Sequence, residues 1–482
     1  MVFKIKEKIW LIILIFIILK IFTINSELYK TPLWDETVYL GMGKYLYSYG
    51  NSGLWESIRP IGLPIITGLM WTIGEQILFT KILLIIFSSL LIYITYLLSL
   101  SLSSNKKTSI ISVTLLVITP VFINNSSKIL TEIPSALFMT LGIYLLIKYK
   151  YNNKILFLSG FSLGLSFLFK FPSLLSGIVS ITIIIYSIFK EKEVKHDKNK
   201  NIKKYYKTYK YIYKILLFSL GIFTVSIPFL FFNYLMYGTH MSFLKATFLP
   251  ILAGAVHQNN YFQSIIITDF YSAVQYMFFY FFILFKNNIL LLLFLPGIII
   301  VKNKKHNIIK LTIIIFLLYL TIISNKQERF ILLILPLICV ISSQTINQIY
   351  EYVHKRLEIK KLIFNSVIYI IIFITAAFSI INLYNDVFEQ KNKYDDNFIR
   401  ELNNIKGPIL STNPTYVIYT NEKIIPLYNV LNKHYYLKEI DELYINPWEK
   451  NIEPNSAIYD PSGFPCDKDN YYFACNEYKK KI

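Results

Sequence analysis

Long apolar runs, separated by short polar segments, dominate the chain from Ile9 to Tyr384. Most of them are long enough to cross the hydrocarbon core of a bilayer as helices, which satisfy their own backbone hydrogen bonds there. The pattern therefore predicts an all-α polytopic membrane protein. Its eleven predicted spans lie near residues 9–26, 79–101, 108–123, 133–149, 155–170, 173–189, 215–236, 288–301, 309–324, 330–347 and 363–384.

Lysine-rich connections after alternate spans indicate the orientation of the chain. Because the positive-inside rule assigns such connections to the cytoplasm, we expect the N-terminus to be cytoplasmic and the segment after Asn385 to lie outside. The apolar stretch from Tyr261 to Phe285 would break this alternation if it crossed, so we predict a juxtamembrane or partly inserted helix. The lysine-rich connections are Asn105–Lys107, Lys148–Lys154, Lys190–Lys214, Lys302–Lys310 and Lys355–Lys361.

The last hundred residues lose the apolar runs, which divides the chain into a transmembrane domain (1–384) and an exterior domain (385–482). The exterior domain is predicted to be a small α/β fold, with a helix at 394–405 and strands at 408–411, 416–419 and 424–428. Cys466 and Cys475 fall in this domain and could form a disulfide in an oxidising compartment, while the unpaired alternative remains open.

The chain is 54% hydrophobic and 16% charged, with a formal net charge of +20. In a soluble protein that charge would suggest nucleic acid as a partner. Here the lysines sit between apolar spans, where they set topology and contact anionic membrane lipids, so no nucleic-acid partner is predicted. The six histidines and three cysteines have no metal-ligand spacing, and neither a metal nor another cofactor is predicted.

Few charges are expected on the exterior face, and ionisable groups at a membrane face are a functional-site hypothesis by default. Asp35 and Glu36 lie in the most informative stretch, Thr31–Tyr39, directly after the first span. The exterior loops could converge on one cavity at the outer leaflet. The other expected exterior charges are Glu56, Arg59, Lys128, Glu132, Lys170, Lys245, Lys326, Glu328 and Arg329.

Such a cavity has the groups that transfer of a sugar from a lipid phosphate requires. One carboxylate must take the proton of the acceptor hydroxyl, and cations must hold the departing phosphate. A second carboxylate can stabilise an oxocarbenium-like transition state. The low pKa of a phosphate leaving group removes the need for a general acid.

Each candidate also has a simpler structural interpretation. Asp35 could be the N-cap residue of a helix, and Thr131 or Glu132 could be the N-cap of a second helix that has Pro134 in its first turn. An acidic N-cap residue can also be a functional acid. Arg59 could be an interfacial anchor. The charged stretch at 326–329 could form an internal salt bridge through Glu328. These alternatives remain open from the residues alone.

Three motifs, in order, resemble the GT-C superfamily of polytopic glycosyltransferases, closest to its protein O-mannosyltransferase and aminoarabinose-transferase branch. The first is Asp35-Glu36 followed by Arg-Pro-Ile-Gly-Leu-Pro at 59–64. The second is Leu-Thr-Glu-Ile-Pro at 130–134. The third is the stretch at 326–336, where a basic residue precedes an aromatic residue, an apolar run and a proline.

The resemblance implies a polyprenyl- or dolichyl-phosphate monosaccharide donor, used with inversion on the exterior face, and a protein, lipid or glycan acceptor. By this resemblance Asp35 would be the catalytic base, with Glu36 beside it, and Glu132 would be an acid near the acceptor or the sugar. Arg59 and Arg329 would bind the phosphate, with Lys326 as an assisting cation. The absent Lys-Pro-Pro-Leu and Trp-Trp-Asp-Tyr-Gly runs argue against lipid A modification and an oligosaccharyltransferase catalytic subunit.

Two rival functions remain from the sequence. A transporter or lipid flippase would have ionisable groups near the middle of the membrane. Lys20, within the first span near its end, is the one candidate charge that does not lie at an exterior span end. An inactive scaffold subunit would use the exterior domain only for docking. The charges at the exterior span ends favour the glycosyltransferase.

Overall fold

Helices make up almost all of the described chain. A computed structural model describes residues 5–28, 32, 34–56, 58–149, 152–193, 201–237, 243–244, 247–248, 251, 269–302, 304–356, 361–388, 409–411 and 414–426. The α-helices are α1 (Ile5–Leu28), α2 (Trp34–Tyr47), α3 (Gly62–Ile73), α4 (Gln76–Ser103), α5 (Lys106–Ile118), α6 (Pro120–Asn125), α7 (Glu132–Tyr149), α8 (Asn153–Phe169), α9 (Leu174–Glu193), α10 (Asn201–Tyr237), α11 (Phe270–Asn287), α12 (Phe294–Ile300), α13 (Asn307–Ile322), α14 (Leu335–Arg356) and α15 (Lys361–Phe388).

Shorter elements connect some of these helices and form the described part of the C-terminal region. The 3₁₀ helices are Phe171–Ser173, Ile289–Leu293, Lys304–His306, Glu328–Leu333 and Pro414–Ile418. The strands β1 (Ile409–Ser411) and β2 (Ile424–Pro426) form one parallel pair.

Every predicted span overlaps a helix, so the predicted helical character is confirmed. Among the described residues, three helices are long and apolar enough to cross a bilayer: Gln76–Ser103, Ile212–Leu235 and Ile363–Asn385. The number of eleven spans stays a prediction. The segment predicted to be juxtamembrane, 261–285, overlaps α11. This helix begins after a capping box in which Asp269 accepts from the Ser272 backbone N–H at 2.7 Å.

Packing between the helices follows the pattern of membrane bundles. On α4, Ile82, Ile86 and Leu90 are each more than 40% exposed and recur every fourth residue, which gives one outward apolar stripe.

Helices α8 and α10 contact each other through glycines. A Cβ atom at Gly160 would lie 2.0 Å from the Phe218 carbonyl oxygen, and one at Gly221 would lie 2.2 Å from the Phe157 carbonyl oxygen. Small residues thus allow the close backbone approach.

The described part of the C-terminal region packs against the first loop. The Gly53 backbone N–H donates to the Glu422 carbonyl oxygen at 3.1 Å, and the Ile424 N–H donates to the Gly53 carbonyl oxygen at 2.7 Å. Gly53 has a φ of 79°, and a Cβ atom there would lie 2.3 Å from the Gly41 carbonyl oxygen. Only glycine fits this junction without displacing the backbone.

The buried side chain of Lys44, on α2, forms hydrogen bonds that also hold the C-terminal region in place. Its Nζ donates to the carbonyl oxygens of Val417 at 2.7 Å and Thr420 at 3.0 Å. These carbonyls belong to and follow the 3₁₀ helix Pro414–Ile418, which replaces the strand predicted at 416–419. Strands are present at 409–411 and 424–426, as predicted, and a complete α/β domain stays a prediction. The predicted helix at 394–405 and both tail cysteines lie outside the described residues.

Replacing Lys44 with Met should loosen the C-terminal segment from α2, because two buried carbonyls lose their donor while the apolar stem is kept. We expect faster chymotrypsin cleavage after Tyr416 and Tyr419 in the detergent-solubilised protein, measured by mass spectrometry. Lys107→Met, at an exposed lysine, is the matched control. Equal cleavage rates in both variants would contradict this role of Lys44.

Candidate active site

Helix ends and loops bring charged side chains from distant parts of the chain to one place. Asp35 lies in the first turn of α2, and Arg59 lies in the turn before α3. Glu132 is the first residue of α7, with Pro134 in the same turn. Arg329 belongs to the 3₁₀ helix Glu328–Leu333. Lys170 directly follows α8, has an extended backbone and precedes the 3₁₀ helix Phe171–Ser173. Acidic residues thus occupy helix N-termini, where the helix dipole favours them.

The carboxylate of Asp35 lies between two arginines. Its Oδ1 is 2.8 Å from Nη2 of Arg59, and its Oδ2 accepts a hydrogen bond from Nη2 of Arg329. The three side chains are between 16% and 22% exposed. Burial opposes ionisation of Asp35, but the two guanidinium groups outweigh it and hold the pKa of that carboxyl well below its usual range.

Each arginine also contacts a second carboxylate through its Nε. Nε of Arg59 donates to Oε2 of Glu56 at 2.5 Å, and Nε of Arg329 lies 3.6 Å from Oε1 of Glu132. The same Glu132 oxygen accepts from Nζ of Lys170 at 2.5 Å. Three carboxylates therefore alternate with three cations in one ion-pair chain, and their formal charges cancel. In order, the ion-pair chain is Glu56, Arg59, Asp35, Arg329, Glu132 and Lys170.

Aromatic rings and apolar side chains enclose the ion-pair chain. The Arg59 guanidinium carbon lies 5.6 Å from the centre of the Tyr39 ring, and Nζ of Lys170 lies 4.3 Å from that of Phe330. Tyr39 also belongs to a buried apolar cluster with Leu40, Leu63, Leu84, Ile129 and Phe169. Low solvent access strengthens each ion pair. It also raises the pKa of Glu56, because burial outweighs the attraction of Arg59.

The structure brings together four of the six residues predicted from the sequence: Asp35, Arg59, Glu132 and Arg329. Glu36 is buried, and its Oε1 accepts from the Ile129 backbone N–H at 2.7 Å. Glu36 therefore fastens α2 to the loop before α7.

Lys326 makes contacts of another kind. Its Nζ donates to the carbonyl oxygens of Leu320 and Thr321, each at 2.7 Å, and lies 4.0 Å from the centre of the Tyr276 ring. These contacts cap the C-terminal end of α13. The possible internal salt bridge through Glu328 is not seen among the described contacts, where Glu328 lies 3.5 Å from Lys286.

Two further members of the ion-pair chain were expected outside the cytoplasm. From the sequence, Glu56 has no assigned role, and Lys170 is only a weaker candidate for lipid-phosphate binding. Glu56 precedes Arg59 by three residues, a spacing that signals a local ion pair. Lys170 is a positive residue at the predicted exterior end of a span, where the positive-inside rule disfavours lysine. Which acid it pairs with depends on how α7 packs on α8, and no local pattern encodes that.

The ion-pair chain leaves one carboxylate oxygen without a partner. Oε2 of Glu132 is buried and has no hydrogen-bond partner, while Oε1 carries the contacts with both cations. Buried polar atoms normally have a partner. The site therefore combines an anion position between two arginines with an acceptor oxygen beside it.

Removing the cation of the buried Lys170–Glu132 pair should destabilise the protein. We expect Lys170→Met to lower the free energy of unfolding by about 3 kcal/mol, near the lower end for a broken buried pair, because Arg329 stays near Glu132. Adding Glu132→Gln should recover most of the loss, since no uncompensated charge remains. Thermal unfolding in detergent measures both. A double variant as unstable as Lys170→Met would contradict the pairing.

The low pKa of Asp35 predicts how its contribution to stability depends on pH. A lowered pKa in the folded state stabilises the protein above the unfolded-state pKa, about 4, and this contribution is lost as the pH falls through the folded-state pKa. The difference in free energy of unfolding between wild type and Asp35→Asn should stay constant between about pH 5 and pH 8 and become smaller below about pH 4. Denaturation of both proteins across this range is the measurement. A gap that widens in acid would contradict the ion-pair assignment.

Comparison with known proteins finds a family model that matches part of the chain and solved structures with a similar fold. Residues 41–244 match the family model described as dolichyl-phosphate-mannose-protein mannosyltransferase. No curated protein matches the chain.

The first related fold is the structure of ArnT from Cupriavidus metallidurans bound to undecaprenyl phosphate, with a TM-score of 0.50 and 11% identity over 71% of this chain. The second is an oligosaccharyltransferase from Archaeoglobus fulgidus tethered with an acceptor peptide, with a TM-score of 0.50 and 12% identity over 89% of this chain. The chain spans 60% and 64% of the lengths of these two proteins. The resemblance inferred from the motifs is thereby confirmed: the chain is a multi-pass membrane protein with the fold of the GT-C glycosyltransferases, and residues 41–244 match their protein mannosyltransferase family.

Proposed function

We propose that this protein is an inverting glycosyltransferase, which moves a monosaccharide from a polyprenyl- or dolichyl-phosphate donor to a protein, lipid or glycan acceptor. The observation that carries the proposal is the Asp35 carboxylate between the guanidinium groups of Arg59 and Arg329. Two converging arginines suit a phosphate, and a carboxylate beside them suits the acceptor hydroxyl. The family matched by residues 41–244 supports the same chemistry.

The reaction assigns a distinct task to each group. Arg59 and Arg329 bind the phosphate oxygens and stabilise the charge that develops as the phosphate leaves. Asp35 accepts the proton of the acceptor hydroxyl while the hydroxyl oxygen forms a bond with the anomeric carbon. The bond from that carbon to the phosphate oxygen breaks on the opposite face, and its electron pair stays on the lipid phosphate. Glu132 lies beside Arg329, where its charge stabilises an oxocarbenium-like transition state.

Glu36 and Lys326 are assigned supporting roles. Glu36 holds the backbone N–H of Ile129, and so positions α2 against the loop that leads to Glu132. Lys326 caps α13 through two carbonyl oxygens just before the helix that carries Arg329. Both therefore position the charged groups instead of contacting the donor.

The lysine pattern supports the orientation of this site. With lysine-rich connections in the cytoplasm, Asp35 and its partners face the exterior of the cell membrane, and the N-terminus is cytoplasmic. The region after residue 384 is then extracytoplasmic, beside the site. Its residues 409–426 contact the first loop, so we propose that it helps to present the acceptor.

Sugar transfer tests the proposal directly. Membranes containing wild type, Asp35→Asn or the control Glu328→Gln are supplied with a panel of labelled polyprenyl-phosphate monosaccharides, and expression is checked. We expect transfer from one donor, about 10²- to 10⁴-fold slower in Asp35→Asn, which is the usual contribution of a general base. The control changes a half-exposed carboxylate near the site and should retain activity.

Two outcomes would contradict parts of this scheme. Full transfer by a folded Asp35→Asn protein would remove Asp35 as the base. No transfer and no release of lipid phosphate from any donor, in membranes that contain candidate acceptors, would favour a transport or scaffold function instead.

The positioning role of Glu36 has its own test. Glu36→Gln keeps an oxygen that accepts from the Ile129 N–H and should retain most transfer activity, whereas Glu36→Ala leaves that buried donor unpaired. We expect Glu36→Ala to lose stability by about 1–3 kcal/mol and to lose transfer activity with it. A Glu36→Gln protein that is stable but inactive would show instead that the charge of Glu36 takes part in the reaction.

A further inference from the structure

The two arginines proposed to bind the donor phosphate already share an anion. Both oxygens of Asp35 are engaged, Oδ1 by Arg59 and Oδ2 by Arg329. A phosphodiester also presents two oxygens that each carry part of one negative charge. The carboxylate and the phosphate thus offer the same pattern of acceptors to the same two donors.

We propose that the Asp35 carboxylate and the lipid phosphate compete for Arg59 and Arg329, so that binding of the donor displaces Asp35 and thereby produces the free base. This inference rests on the proposed function, and it adds an order of events: the base becomes available only when the phosphate is in place.

The outer carboxylates allow such an exchange without loss of the binding site. Arg59 keeps its 2.5 Å contact with Glu56, and Arg329 keeps Glu132 at 3.6 Å. Each arginine therefore has a second carboxylate neighbour at its Nε, on the same edge of the guanidinium group as the Nη2 that contacts Asp35. Because these contacts restrict the guanidinium groups, they stay in position for an incoming anion when Asp35 leaves.

Charge balance gives the displaced carboxylate its chemical role. The ion-pair chain is neutral with Asp35 included, so a phosphodiester adds one negative charge when it takes over the two arginines. Asp35 then loses both cations and remains in a partly buried site with a neighbouring anion. Burial and like charge each favour the protonated form of a carboxyl group.

This change removes a difficulty in the assignment of Asp35 as base. A carboxylate whose pKa is held well below the usual range by Arg59 and Arg329 is a poor proton acceptor. Once the phosphate takes both arginines, the pKa of Asp35 rises toward that of an effective base. An acceptor hydroxyl that arrives without a donor meets only the weak base.

Binding of a polyprenyl phosphate without a sugar tests the competition apart from catalysis. Removing the competing carboxylate should tighten binding, so Asp35→Asn should bind about tenfold to a hundredfold more tightly than wild type, from the usual strength of a charged hydrogen bond. Asp35→Glu keeps a competitor and should bind no more tightly than wild type. Glu328→Gln makes the same charge change outside the ion-pair chain and should leave affinity unchanged, and Arg329→Met should weaken it.

Affinity is measured in detergent by direct titration and by the rise of the thermal unfolding midpoint with added lipid, which also reports whether each variant is folded. Asp35→Ser removes the same carboxylate and is tested in parallel, so either folded variant can carry the comparison. Equal or weaker binding by folded Asp35→Asn and Asp35→Ser, with transfer lost, would overturn the competition and leave the proposed function intact. No binding by wild type or by any variant would overturn the proposed function itself.

Discussion

The pairing of Asp35 with Arg59 and Arg329 is the interaction on which this end of the helix bundle depends. It joins side chains up to 294 residues apart in the sequence. Two guanidinium groups repel each other strongly where solvent access is low, unless a carboxylate lies between them. An anion between the two arginines, here the Asp35 carboxylate, therefore allows the first loop and the helix Glu328–Leu333 to meet at this point.

The rest of the site extends this pairing outward in both directions. Glu56 and Glu132 lie at the Nε atoms of the two arginines, and Lys170, directly after α8, completes the series. Hydrogen bonds to backbone groups then position the charged segments, such as the one from the Ile129 N–H to Glu36. Because every charge has an opposite neighbour, the groups can be partly buried without a net charge in a region of low dielectric.

The sequence predicts this structure well where the physics is local and less well where it is not. Apolar runs of span length must be helical in a bilayer, so the helices were predictable. Asp35, Glu132 and Arg329 were predictable as charges at exterior span ends within recognisable motifs. The partners of Lys170, Glu36 and Lys326 were not, since carbonyl oxygens, backbone N–H groups and distant acids become neighbours only through tertiary packing. The strand predicted at 416–419 failed because Pro414 starts a tight helical turn there.

The contact of Lys44 with the C-terminal region has a consequence for biosynthesis. Val417 is 373 residues downstream of Lys44, so the ribosome completes α2 long before it makes the segment that fastens it. The helix that carries Asp35 therefore obtains this support only after residues 417–420 have been made. Until then, the buried ammonium group of Lys44 lacks the two carbonyl oxygens to which it donates in the folded protein.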